Sequence, residues 1–178
     1  MMTAKWSVDT VHSNVDFTVR HMMVSKVRGS FTDFDAEIEA DVNDLTSASI
    51  TFTIQVASVD TKNESRDNHL RSGDFFDADN HPTLTFQAKE ITRKKGDTYE
   101  MTGDVTLRGV TNEETFTVEF EGVAKDPMSG AEKAGFSVDG KIKRTEYGLN
   151  WNAALETGGV LVSDDVNIHL DLQLAKAE

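Results

Sequence analysis

The chain has 178 residues, of which 38% are hydrophobic and 28% charged, with only two Pro and 12 Gly; this is a globular composition and excludes a low-complexity chain. Eighteen basic against 31 acidic residues leave a net charge of −13, which disfavours nucleic acid and anionic membrane surfaces as primary partners, because phosphate binding needs a basic patch. The absence of cysteine excludes thiolate metal sites and cysteine nucleophiles.

The start, Met1-Met2-Thr3-Ala4-Lys5-Trp6, has no apolar run, so no signal peptide is expected, and no window reaches membrane-spanning length. A cytoplasmic location and one domain over residues 1–178 are the resulting expectations.

Asp9, His12 and Ser13 come next, crowded into a short run. A Ser-His-Asp triad needs these groups to converge from separate elements beside an oxyanion hole. The run is read instead as a turn whose side chains cap backbone groups, and no catalytic residue is assigned. Val15, Phe17 and Val19 then alternate with polar residues, and His21 ends the same parity at what should be a barrel end. Val27, Gly29 and Phe31 share odd parity, whereas Phe34, Ala36 and Ile38 are even; a β-bulge at Thr32-Asp33 accounts for the switch. The clearest alternation runs from Ala48 through Ile50, Phe52 and Ile54 to Val56.

Residues 61–82 break the pattern. Arg66, Asp67, His69, Arg71 and Asp74 crowd together there and are followed by Phe75-Phe76, which a solvated connector would not need. The segment is expected to be short, irregular or helical, and to guard one barrel end. Alternation resumes at Leu84, Phe86 and Ala88, then at Met101, Gly103, Val105 and Leu107, and at Phe116, Val118 and Phe120. Phe136, Val138, Gly140 and Ile142 continue it, and Arg144 falls on the same inward parity. A buried Arg must be paired, and Asp67, Asp74 and Glu146 are the candidates, Asp67 favoured. The last alternating run is Val166, Ile168, Leu170, Leu172 and Leu174, which leaves His169 outward. Turns are expected at Asn43-Asp44, Lys95 to Asp97, Gly109 to Asn112, Asp126 to Gly130 and Gly158-Gly159. Glycines 29, 103, 122 and 140 inside strand patterns suit sharp coiling or close backbone approach.

The pattern defines an all-β chain: an extended antiparallel β-barrel of about eight strands, lipocalin-like, with one short helical or irregular segment near the barrel end. An apolar tube lined by Phe17, Val19, Phe31, Phe34, Phe52, Ile54, Phe86, Met101, Val105, Phe136 and Leu170 is expected, with His12, His21, Arg66, Asp67, His69 and Arg144 nearer its polar end. The five histidines show no His-x-His or His-Glu-x-x-His spacing, so no metal and no cofactor are assigned.

In order, Trp6-Ser7-Val8-Asp9 with His12-Ser13, Val27-Arg28-Gly29-Ser30-Phe31, Ser58-Val59-Asp60-Thr61 and Arg66-Asp67-x-His69-Leu70-Arg71-Ser72-x-Asp74-Phe75-Phe76-Asp77 resemble the YceI-like family of polyisoprenoid-binding, lipocalin-like proteins. His81-Pro82, Gly103-x-Val105-Thr106-Leu107 and Arg144-x-Glu146-Tyr147-Gly148 extend the resemblance over nearly the whole chain. It implies an elongated hydrophobic pocket, a long isoprenoid or other lipid as partner, and no established catalysis. Binding, carriage or sequestration of a polyisoprenoid, a prenylated quinone or a similar lipid is the expected function, with neither nucleic acid nor an integral membrane segment involved and a homodimer left open. Two alternatives stand beside it: a metal-dependent or hydrolytic enzyme using the His/Asp/Arg cluster, and a packed barrel with a structural or stress-related role.

Overall fold

The computed structural model describes residues 3–22, 24–152 and 162–177. Its strands are β1 (Ala4–Val8), β2 (Asn14–His21), β3 (Ser25–Phe31), β4 (Phe34–Asp41), β5 (Asp44–Gln55), β6 (Val59–Asp60), β7 (Thr83–Lys95), β8 (Thr98–Leu107), β9 (Val110–Lys125), β10 (Glu132–Lys143) and β11 (Asp165–Lys176). One helix, α1 (Glu64–Arg71), lies between β6 and β7.

These segments make eight staves of one closed antiparallel barrel. β1 and β2 both pair with β11, Val8 opposite Leu174 and Asn14 opposite Asp171, so they form one long stave interrupted by the 9–13 turn. β3 and β4 form the next stave and pair with β2 and β1 respectively. β5 and β6 form the third, pairing with β4 and β3. β7 to β11 follow as a meander, and the β1–β11 pairing closes the ring. Closure removes the open edges that an apolar-faced sheet would otherwise present.

The interruptions have local causes. At Thr32 and Asp33 both backbone N–H groups turn to Ser58 Oγ, at 3.1 and 3.0 Å, which breaks the ladder where the parity switches. In the 9–13 turn, Asp9 accepts from the Val11 backbone at 3.1 Å and holds His12 Nδ1 at 2.8 Å. Ser13 Oγ accepts from the Gln173 backbone at 2.9 Å and so stitches the turn to β11. This turn caps backbone groups and pins Ser13 to β11 instead of aligning it with His12. The 95–97 and 126–130 turns join strands as expected; the first turn comes one residue early, at 42–43 with β5 starting at Asp44, and the 107–110 turn also comes slightly early, with β9 starting at Val110. The expected Gly158-Gly159 turn lies outside the described residues.

Burial follows the alternation. Along β8 every second residue from Tyr99 to Leu107 is buried. Aromatic rings on the inner wall require glycine at strand positions such as 29 and 140. A Cβ on Gly29 would lie 2.4 Å from the Phe17 ring, and one on Gly140 2.2 Å from the Phe116 ring. A ring packed against a glycine lets the wall coil tightly there without losing apolar cover.

Candidate ligand-binding site

The barrel is not packed solid. It encloses a cavity of about 700 Å³, inside the range of about 300–1,000 Å³ typical of small-molecule sites. Its wall is almost entirely apolar and is drawn from every stave, including Val15, Ile50, Phe52, Phe86, Met101, Val105, Phe116, Val138, Ile168 and Leu172. Trp6, Val42 and Leu45, all buried, floor one end. Trp6 is held there by its Nε1–H, which donates to the Ala40 carbonyl at 3.2 Å. The lining residues that are exposed to solvent, Arg20, Asn63 and Ser65, all lie at the opposite end, so the cavity opens beside α1.

α1 is built to sit across that end. Asn63 caps it, its Oδ1 accepting from the Arg66 N–H at 2.9 Å, and Glu64 and Asp67 occupy the first turn where the helix dipole favours acids. Asp67 is buried, and its Oδ1 accepts from Thr61 N at 2.9 Å and Thr61 Oγ1 at 2.5 Å. Arg66 donates to Thr61 Oγ1 and to the Thr61 carbonyl, both at 2.8 Å. The helix is thereby locked to the end of β6. After α1, Phe75 is buried and Phe76 packs edge-on against Phe31, with ring centroids 5.7 Å apart. His69, Phe75 and Trp151 form a cluster at the mouth, the His69 ring 4.8 Å from Trp151 and 5.0 Å from Phe75, with His69 Nε2 at 2.9 Å from Asp74.

Arg144 is 4% exposed and faces the cavity end, as its parity implies. Its partners differ from those expected. Instead of Asp67 or another carboxylate, the guanidinium donates to four backbone carbonyls: Leu149 at 2.6 Å, Ser163 at 2.8 Å, Trp151 at 2.9 Å and Val162 at 3.2 Å. Burial lowers its pKa, against a raising influence from Asp164. Asp67 is already committed to Thr61. Tyr147, fully buried two residues before Leu149, donates to Glu114 at 2.5 Å, and burial together with that carboxylate pushes its pKa strongly up.

Of the residues expected to form the tube and its polar end, Phe17, Val19, Phe31, Phe52, Ile54, Phe86, Met101, Val105, Phe136, Leu170, His21, Arg66, His69 and Arg144 border the cavity. Three do not. Phe34 is buried but stacks on Phe52, with centroids 5.9 Å apart, away from the void. Asp67, within α1, is buried and bound to Thr61 and does not border the void. His12 is exposed in the 9–13 turn, bound to Asp9. The structure therefore does not bring His12 together with His21 and His69, and among the described residues no group of three His, Asp or Glu is placed to hold a metal ion. Residues the alternation missed include Leu149 and Trp151, which reach the mouth from an irregular segment with no period, and Val42 and Leu45, which flank a turn.

A closed antiparallel barrel with one capped end, one floored end and an apolar interior defines the lipocalin-like class of ligand-binding barrels. Within that class the chain belongs to the YceI-like domain family, whose model matches residues 6–174. A UPF0312 protein of Staphylococcus aureus is 47% identical over 173 residues, 97% of this chain and 98% of its own length. Among solved structures, BcnA of Burkholderia cenocepacia superposes with a TM-score of 0.81 at 26% identity, covering 93% of this chain and 98% of that one. The YceI protein of Campylobacter jejuni gives 0.77 at 35% identity, covering 89% and 90%. A polyisoprenoid binding domain from Saccharophagus degradans gives 0.68 at 16% identity, covering 98% and 99%, a likeness of fold alone.

Proposed function

We propose that this protein binds and carries a long apolar chain, of the polyisoprenoid or prenylated-quinone kind, inside the barrel. The cavity carries the reading: its described lining is apolar apart from Asp16 and the polar groups gathered toward the α1 end. Burying a methylene contributes about 0.8 kcal/mol, so a long tail supplies affinity without many polar contacts. The tail would lie along Phe52, Phe86, Met101 and Leu170, and a polar head would remain near Arg66 and His69. The Saccharophagus degradans neighbour, a polyisoprenoid binding domain, is in keeping with such a ligand.

The chain's two tryptophans, Trp6 at the floor and Trp151 at the mouth, provide the test. In a Trp151→Phe variant only Trp6 emits. Titration with octaprenol should shift Trp6 emission, whereas a short prenol should leave the floor unaffected. Organic extraction and mass spectrometry of the purified protein should release a long apolar molecule. An empty extract together with an unresponsive Trp6 would defeat the reading.

A further inference from the structure

The β2–β3 hairpin is an electrostatic exception. Residues 17–31 hold Arg20, His21, Lys26 and Arg28 and not one acid, in a chain with 31 acidic residues. Arg20 lies directly opposite Lys26 in the register, and Arg28 follows opposite Thr18. Like charges facing each other across an antiparallel pair destabilise it. All three cations are exposed, and among the described residues none of their side chains has a carboxylate or other hydrogen-bond partner. Lys62, Lys89, Lys94, Lys141 and Lys143, by contrast, each reach a carboxylate. Among the described residues the hairpin's charge is left unneutralised.

The tip between these cations is apolar. Met22 is 47% exposed and Val24 81% exposed. The hairpin also stands at the open end of the cavity: Val19, Arg20, His21 and Val27 border the void, and His21 bridges to Val162 beside the Arg144 carbonyl cluster. An apolar tip flanked by uncompensated cations is the pattern of an interfacial anchor.

We propose that the β2–β3 hairpin docks the barrel mouth onto an anionic lipid bilayer, with Met22 and Val24 entering the headgroup–acyl boundary and Arg20, Lys26 and Arg28 meeting lipid phosphates. The purpose rests on the carrier reading: a water-insoluble ligand then passes between bilayer and barrel without crossing water. Lipid phosphates between Arg20 and Lys26 relieve the repulsion that the isolated barrel leaves in place. The net charge of −13 orients the encounter, because the acidic remainder is repelled from the same surface. Screening within about 10 Å at 0.1 M salt confines that repulsion while the hairpin is in contact.

The test uses ligand-free protein and sedimentation with phosphatidylcholine vesicles, with and without phosphatidylglycerol. Wild type should bind the phosphatidylglycerol vesicles and lose binding as salt rises. The double variant Lys26→Gln/Arg28→Gln should bind about thirtyfold more weakly, from roughly 1 kcal/mol per cation near an anionic surface. Its urea midpoint should be unchanged or raised, because a like-charge pair is gone, so unfolding cannot explain the loss. Val24→Asp should weaken binding as well. Neither substitution touches the cavity, so octaprenol affinity in solution should hold. Failure of wild type to bind anionic vesicles at low salt, indifference to phosphatidylglycerol, or full binding by the double variant overturns the proposal. So does a dimer that Val24→Asp dissolves in a protein that ignores vesicles, which assigns the tip to a second copy. Vesicle binding without octaprenol binding would remove the carrier reading and leave the docking surface standing.

Discussion

Arg144→Met tests what holds the rim of the cavity. Methionine keeps much of the volume and removes all donors. Four carbonyls then lose their partner, and the Leu149 carbonyl, whose bond to Arg144 is buried, has no ready water to replace it. An unsatisfied buried acceptor costs about 1–3 kcal/mol, while the other three, being part-buried, recover some of theirs by hydration. The sum is about 3–5 kcal/mol, a large share of the roughly 5–15 kcal/mol that stabilises a domain. Equilibrium urea unfolding followed by far-UV circular dichroism measures it. Arg144→Lys should fall between the two, since an ammonium cannot span acceptors that a planar fork reaches together. A methionine variant within about 1 kcal/mol of wild type, with an unchanged slope in urea, would refute the reasoning that backbone carbonyls replace the carboxylate.

Phe52→Asp should abolish octaprenol binding and also lower the urea midpoint, because it sets an unpaired charge on the cavity wall; retained affinity in a folded variant would remove Phe52 from the site. Asp67→Ala strips Thr61 of the acceptor for its N–H and hydroxyl and should destabilise the barrel by about 2–3 kcal/mol in the same assay, with faster amide exchange in α1. On the outer wall, His169 has Nδ1 2.6 Å from Asp139 and Nε2 3.0 Å from Asp171, and it lies opposite Asp16 in the register. The Asp139 hydrogen bond is the main influence raising its pKa above 6.5. Because the folded value is the higher one, the stability it contributes is fully present below the unfolded value of about 6.5 and is lost as pH rises through the folded value. Imidazole NMR titration should show the raised value in wild type and a lower one in Asp139→Asn; identical titrations would sink the assignment.

The barrel was legible in the sequence because an inner face repeats every second residue along a strand, and that period survives whatever the strands pack against. Phe52, Phe86, Val105 and Leu170 could therefore be placed on the wall one strand at a time. The switch between Phe31 and Phe34 was readable for the same reason, since a bulge must shift the period. Tertiary structure decided what the period does not encode. Arg144 shows this best: parity turned it inward, but its acceptors are the backbone carbonyls of residues 149, 151, 162 and 163, which a residue of any type there could have supplied. Trp151 reaches the mouth from a segment without a period, and Phe34 stacks on Phe52 although its parity matches the wall. Asp67 belongs to Thr61 because the helix cap set the direction of α1. The void itself is a volume left when eight staves close, and a volume depends on the distance across the barrel, which no single strand's sequence contains.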